Sequence, residues 1–118
     1  MKIGLLDDKK IGISQIKNAL GADFCGEFFY FSSAAEFFAG DDFFDIIFLD
    51  FFLDRDGITA DAIFSKIRPR ARKIVAFSSS RRGNEILKKA GADAVVEKIW
   101  GEKNVDLENY FFEFFPEK

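Results

Sequence analysis

Histidine does not occur among the 118 residues. Its absence excludes a Ser-His-Asp triad, a His-ligated zinc and a histidine phosphocarrier. Cysteine occurs once, as Cys25, so no disulfide can close within the chain, and a reducing cytoplasm is the expected compartment. The thiol itself reads as a buried or edge side chain. Basic charge is in deficit: 17 Lys and Arg face 20 Asp and Glu, for a net charge of −3 and a pI near 5.0, which argues against a nucleic-acid surface. No apolar run approaches the ~20 residues of a membrane span. The opening Met-Lys-Ile-Gly leads straight into a strand, which leaves no room for a secretory leader. Tryptophan occurs once and tyrosine twice, against 17 phenylalanines; that balance reads as bulky core filling and carries no chemistry of its own.

What the chain does have is a core. With 48% hydrophobic residues it suits one domain over 1–118, with no second or output domain within it. Apolar strand-like runs at 2–6, 27–31, 44–49, 73–77 and 94–97 alternate with helical stretches. Ile13, Ile16 and Leu20 share a helical face that ends at Gly21, and Ser33-Ala34-Ala35-Glu36 has the capping-box pattern before a helix that stops at Gly40. Ala60, Ile63 and Ile67 share a face until Pro69, and a fourth helix over 82–90 closes on Gly91. Leu107, Tyr110, Phe111 and Phe114 give a last amphipathic helix up to Pro116. This βα alternation predicts an α/β fold, a single doubly wound five-stranded parallel sheet flanked by helices.

In such a sheet the carboxyl ends of the strands form the ligand crevice. Three runs end there in charge: Ile3-Gly4-Leu5-Leu6 in Asp7-Asp8, Ile46-Ile47-Phe48-Leu49 in Asp50, and Ala94-Val95-Val96-Glu97 in Lys98. Carboxylates so close repel by a few kcal/mol per pair, so they either keep protons or bind a cation. An all-oxygen cluster suits Mg²⁺ better than zinc or copper. Ser78, ending the fourth run, adds a hydroxyl at the same edge. A metal, a hydroxyl and an ammonium around one carboxylate make a cradle for a phosphoryl group, with Asp50 as the nucleophile of an acyl phosphate.

Over nearly its whole length the chain closely resembles the response-regulator receiver domain, the CheY-like phosphoacceptor of two-component signalling. The residues that carry the resemblance are Asp7-Asp8, the run into Asp50, Asp56-Gly57, Ser78, and Gly91-Ala92-Asp93 leading to Lys98. The resemblance implies phosphorylation at Asp50, with Mg²⁺ held by Asp8 directly, by Asp7 largely through water, by Asp50 and by the backbone carbonyl of Phe52. It implies that Ser78 and Lys98 contact the phosphoryl oxygens. The implied partners are a sensor histidine kinase or phosphotransfer protein as donor, an unnamed downstream protein as target, and a second copy in a phosphorylation-dependent homodimer. Nucleic acid and membrane are not among them. The only catalysis implied is the protein's own phosphorylation and dephosphorylation.

The chain departs from the family pattern at three places. Val95 stands where an aromatic ring usually relays the signal, Ile99 replaces a proline that commonly follows the lysine in cis, and the 50–57 segment is shorter than usual. The readout is therefore expected in the loop after Ser78 and the start of helix four, with Ser79, Arg81 and Arg82 facing a partner. Phe52, beside the path of a hydrolytic water, is expected to lengthen the life of the acyl phosphate. The same departures support an alternative, a pseudo-receiver that acts as a docking and dimerisation module without phosphorylation. A second local resemblance, of Phe51 to Thr59 to the nucleophile motif of haloacid-dehalogenase-type phosphatases, would make Asp54 the nucleophile and Asp56 its acid/base, but it leaves Asp7-Asp8 unexplained.

Overall fold

The computed structural model describes residues 1–115. Strands β1 (Lys2–Leu6), β2 (Glu27–Phe31), β3 (Phe44–Leu49), β6 (Ala71–Ala76) and β7 (Ala94–Val95) form one sheet in the order β2-β1-β3-β6-β7. Every pairing in it is parallel. A separate antiparallel hairpin joins β4 (Phe52–Leu53) to β5 (Ile58–Thr59). The helices are α1 (Ile11–Leu20), α2 (Ala34–Ala39), α3 (Phe64–Ile67), α4 (Arg81–Ala90) and α5 (Val105–Phe114).

The period of two along each strand sorts the core into two layers. Ile3, Leu5, Ile46, Phe48 and Val75 pack with Ile16 and Leu20 of α1 and Leu107 and Phe111 of α5. Leu6, Ile47, Leu49, Ile74 and Ala76 face the other way, onto Phe37 of α2, Phe64 and Ile67 of α3 and Leu87 of α4. Phenylalanine fills both layers. Phe44 meets Phe29 and Phe31 edge-on at 5.6 and 5.7 Å, and Phe48 meets Phe77 and Phe111 at 5.5 and 5.6 Å. Such edge-to-face pairs add roughly 0.5–1.5 kcal/mol each beyond area burial. Core filling does not account for every ring, since Phe43, Phe52 and Phe112 are exposed. Cys25 is exposed as well.

Several boundaries differ from the sequence expectation. The fourth sheet strand covers Ala71–Ala76 where 73–77 was expected, and the last covers Ala94–Val95 where 94–97 was expected. The last strand has one neighbour, so regular pairing ends early. Its chain still tracks the sheet, because Val96 N–H donates to Ala76 O at 2.9 Å and Lys98 N–H to Ser78 O at 3.1 Å. The expected third helix is broken into a 3-10 turn (Ala60–Ile63), the single turn α3, and a second 3-10 turn (Arg68–Arg70) that contains Pro69. Its start is tethered from outside, with Ala60 N–H donating to Phe51 O at 2.7 Å. The hairpin was not foreseen; Gly57, at φ 67, turns it in a region that favours glycine. In the capping box Ser33 Oγ accepts from Glu36 N–H, while the Glu36 carboxylate accepts from Ser32 Oγ. Helix α4 begins at Arg81, one residue earlier than expected, capped by Ser80. Pro116 lies outside the described residues.

Candidate functional site

Backbone ladders carry the charged residues to one edge. In β1 and β3, Leu6 pairs with Leu49. One step on, Asp7 N–H donates to Phe31 O at 3.1 Å and Asp50 N–H to Leu6 O at 3.0 Å. The ladder thus continues through the charged residue that follows each strand, which ties these two residues to the sheet edge.

The carboxylates gather tightly: one oxygen from each of Asp7, Asp8 and Asp50 lies within 4.8 Å of the others. Lys98 Nζ sits between two of them, 2.5 Å from Asp7 Oδ2 and 3.5 Å from Asp50 Oδ2. Asp7 Oδ1 accepts from Lys9 N–H, Asp50 Oδ1 from Phe51 N–H, and Asp8 Oδ2 from Asp54 N–H. Asp8 Oδ1 is buried and has no hydrogen-bond partner among the described residues. A buried acceptor left bare costs about 1–3 kcal/mol. Burial, then the negative charge of Asp50, raises the pKa of Asp7 from 3.8 to about 7, against the opposing pull of Lys98.

When all three carboxylates are ionised, one ammonium leaves two negative charges uncompensated, which one divalent cation cancels. The donor set, all oxygen with Asp8 Oδ1 buried and bare, fits Mg²⁺. Beside it lies a cavity of about 150 Å³ lined by Asp50, Ser78, Ser79, Lys98 and Phe52, with Ile11, Ile99 and Trp100 at its wall. Ser78 Oγ accepts from Ser80 N–H, leaving its own proton to donate. Phe52 is 45% exposed, its ring edge-on to Phe51.

Four residues that the sequence reading passed over hold this edge in place. Asn84, buried in α4, clamps Ser78 through two hydrogen bonds: Ser78 N–H donates to Asn84 Oδ1 at 3.0 Å and Asn84 Nδ2 donates to Ser78 O at 2.8 Å. Gly83, beside it, has no room for a side chain, since a Cβ would lie 2.7 Å from Phe51 Cβ. Gln15 and Asn104 are buried against the loop that carries Lys98. A polar residue inside an apolar helical face is the signal that could have exposed Gln15 and Asn84. The structure places Arg81, Arg82, Ser79 and Val95 at the surface; Arg81 and Val95 border a groove of about 430 Å³ between α4 and β7, whereas Ser79 belongs to the carboxylate cavity. Asp56 is committed elsewhere, its carboxylate accepting from Ala34 N–H at 2.5 Å at the start of α2, and Asp54 is exposed.

No family model and no curated sequence matches the chain. Solved structures do. The response regulator DrrB of Thermotoga maritima, an OmpR/PhoB homolog, superposes with a TM-score of 0.72 at 21% identity over 99% of this chain, which spans 54% of that protein. The BeF3-activated DrrB receiver domain gives 0.71 at 20% identity, with 99% of this chain and 97% of that one covered. A CheY-like receiver domain protein from Methanospirillum hungatei gives 0.69 at 22%, over 98% and 94%. A parallel sheet in this strand order, its acidic residues at the carboxyl edge and its whole length matched, is therefore the fold of the response-regulator receiver domains.

Proposed function

We propose that this chain is a phosphorylation-switched receiver in a two-component phosphorelay, with Asp50 as its phosphoacceptor. The observation that carries the reading is the convergence of Asp7, Asp8 and Asp50 on one lysine, with Asp8 Oδ1 left bare. A cluster kept for stability alone would satisfy that oxygen. Asp7, Asp8, Asp50 and the Phe52 carbonyl would hold Mg²⁺, which supplies charge neutralisation at the transferring phosphoryl group. An Asp50 oxygen forms the new bond to phosphorus as the bond to the donor's leaving oxygen or nitrogen breaks, and the leaving group departs with that electron pair. Lys98, already facing Asp50, balances the added charge, and the Ser78 hydroxyl donates to a phosphoryl oxygen.

The donor in this reading is a sensor histidine kinase or phosphotransfer protein. The apolar wall of Ile11, Phe52, Ile99 and Trp100 around the cavity suits a helix that brings a phosphohistidine. Output would pass to a protein target, or to a second copy, through Ser79, Arg81, Arg82 and Val95. The pseudo-receiver alternative draws on one observation, the open groove beside exposed Val95, which is ready for a partner without any ring movement.

Acetyl phosphate with Mg²⁺ separates the two. Intact-mass measurement should show one added phosphate on the wild type and none on Asp50→Asn. An unmodified wild type, or equal modification of both proteins, overturns the receiver reading.

A further inference from the structure

Lys98 is the one charged group at the site that no regular strand delivers, for β7 ends at Val95. Its backbone is nevertheless bound on both sides. The carbonyl of the residue before it, Glu97 O, accepts from Asn104 Nδ2 at 2.9 Å, and the carbonyl of the residue after it, Ile99 O, accepts from Gln15 Nε2. The two amides also bond each other, Asn104 Nδ2 donating to Gln15 Oε1 at 3.0 Å. Asn104 Oδ1 accepts from Leu107 N–H at 3.1 Å, so the same side chain caps α5. Farther along the loop Glu102 O accepts from Asn18 Nδ2 at 3.2 Å, one turn beyond Gln15 on α1. Gln15 is 0% exposed and Asn104 2%. Among the described residues no peptide bond is cis.

Buried amides are costly unless every polar atom finds a partner. Here the partners are the carbonyls of Glu97 and Ile99, the residues before and after the lysine, a choice that an α1–α5 contact made for packing alone would not require. Gly12, one turn before Gln15 on α1, lets the helix pack closely on Phe77, since a Cβ there would stand 2.9 Å from that ring. We infer that Gln15 and Asn104 are positioning residues for phosphoryl transfer, which fix the carbonyls of the residues before and after Lys98 and so hold its ammonium between Asp7 and Asp50. The inference rests on the receiver reading for what Lys98 does.

Two variants test it. Gln15→Met keeps length and helix propensity without the donor, and Asn104→Ser keeps an oxygen to cap α5 without the amide. In each, the initial rate of Asp50 phosphorylation by acetyl phosphate should fall about tenfold, equal to ~1.4 kcal/mol in the barrier. Mg²⁺ affinity by calorimetry should stay within about twofold, because the carboxylates hang from β1 and β3 and not from the loop. Combined with Lys98→Ala, either substitution should change the rate by less than about twofold, since the effect runs through the lysine. An undiminished rate in both folded variants, or a full tenfold loss repeated without Lys98, overturns the inference.

If the wild type takes no phosphate, the receiver reading fails by itself and placement is read directly. Exchange of the Lys98 amide, bonded to Ser78 O, should then speed up in Gln15→Met while that of Asp50 does not. Equal protection of Lys98 in wild type and variant would overturn the positioning role.

Discussion

The two halves of the charged site are built by different means. Asp7, Asp8 and Asp50 extend from β1 and β3, which lie inside the sheet with a parallel neighbour on each side. Lys98 lies beyond the end of the two-residue edge strand β7 and is placed by side-chain amides from α1 and from the start of α5. Backbone pairing fixes a position whatever the side chains are, whereas an amide clamp depends on particular residues. The carboxylate half should therefore tolerate substitution around it, and the lysine half should be sensitive to residues far along the chain.

The sharpest break in that comparison is removal of the lysine itself. Lys98→Ala should slow phosphorylation of Asp50 by roughly 10²–10³-fold, the usual loss when one preorganised electrostatic group is deleted. Single-turnover kinetics with acetyl phosphate measure it, and a loss below tenfold would assign the charge balance to the metal alone.

Stability should divide along the same line. Ile47, fully buried on β3, should lose about 2–5 kcal/mol on change to alanine, while half-exposed Val95 on the edge should lose under about 0.5 kcal/mol. Urea midpoints with an unchanged slope decide it; comparable losses would show that the edge is as well packed as the centre.

A smaller effect concerns pH. The folded state holds a proton on Asp7 up to about 7, against 3.8 ordinarily, because burial and the Asp50 charge favour the neutral form. At this group the folded state therefore binds more protons than the unfolded one between those values, and the Asp7 contribution to stability falls as pH rises through that window. The stability difference between wild type and Asp7→Asn without Mg²⁺ should shift against the wild type from pH 4 to 8. A constant difference would mean that Lys98 keeps Asp7 ionised throughout.

Much of this was legible in the chain. The uninterrupted apolar runs Ile3-Gly4-Leu5-Leu6 and Ile46-Ile47-Phe48-Leu49 marked strands buried on both faces, and those strands ended in the carboxylates that the sheet brings together. The resemblance to receiver domains agrees with the fold. The region after Asp50 was less legible. Phe51, Phe52 and Leu53 look like any apolar run, and nothing local shows that Ala60 N–H will bond Phe51 O and break the following helix.

The sequence by itself determined what one residue and its near neighbours control: strand and helix identity, their order, and which residue types end the central strands. Tertiary structure alone decided which oxygen stays bare, that Lys98 reaches Asp7 more closely than Asp50, and that Gln15 and Asn104, 89 positions apart, share the loop between them. The physical reason is range. Periodicity and capping act over a few residues, whereas the partner of a buried polar atom is set by whichever element packs against it, and that element can come from anywhere in the chain.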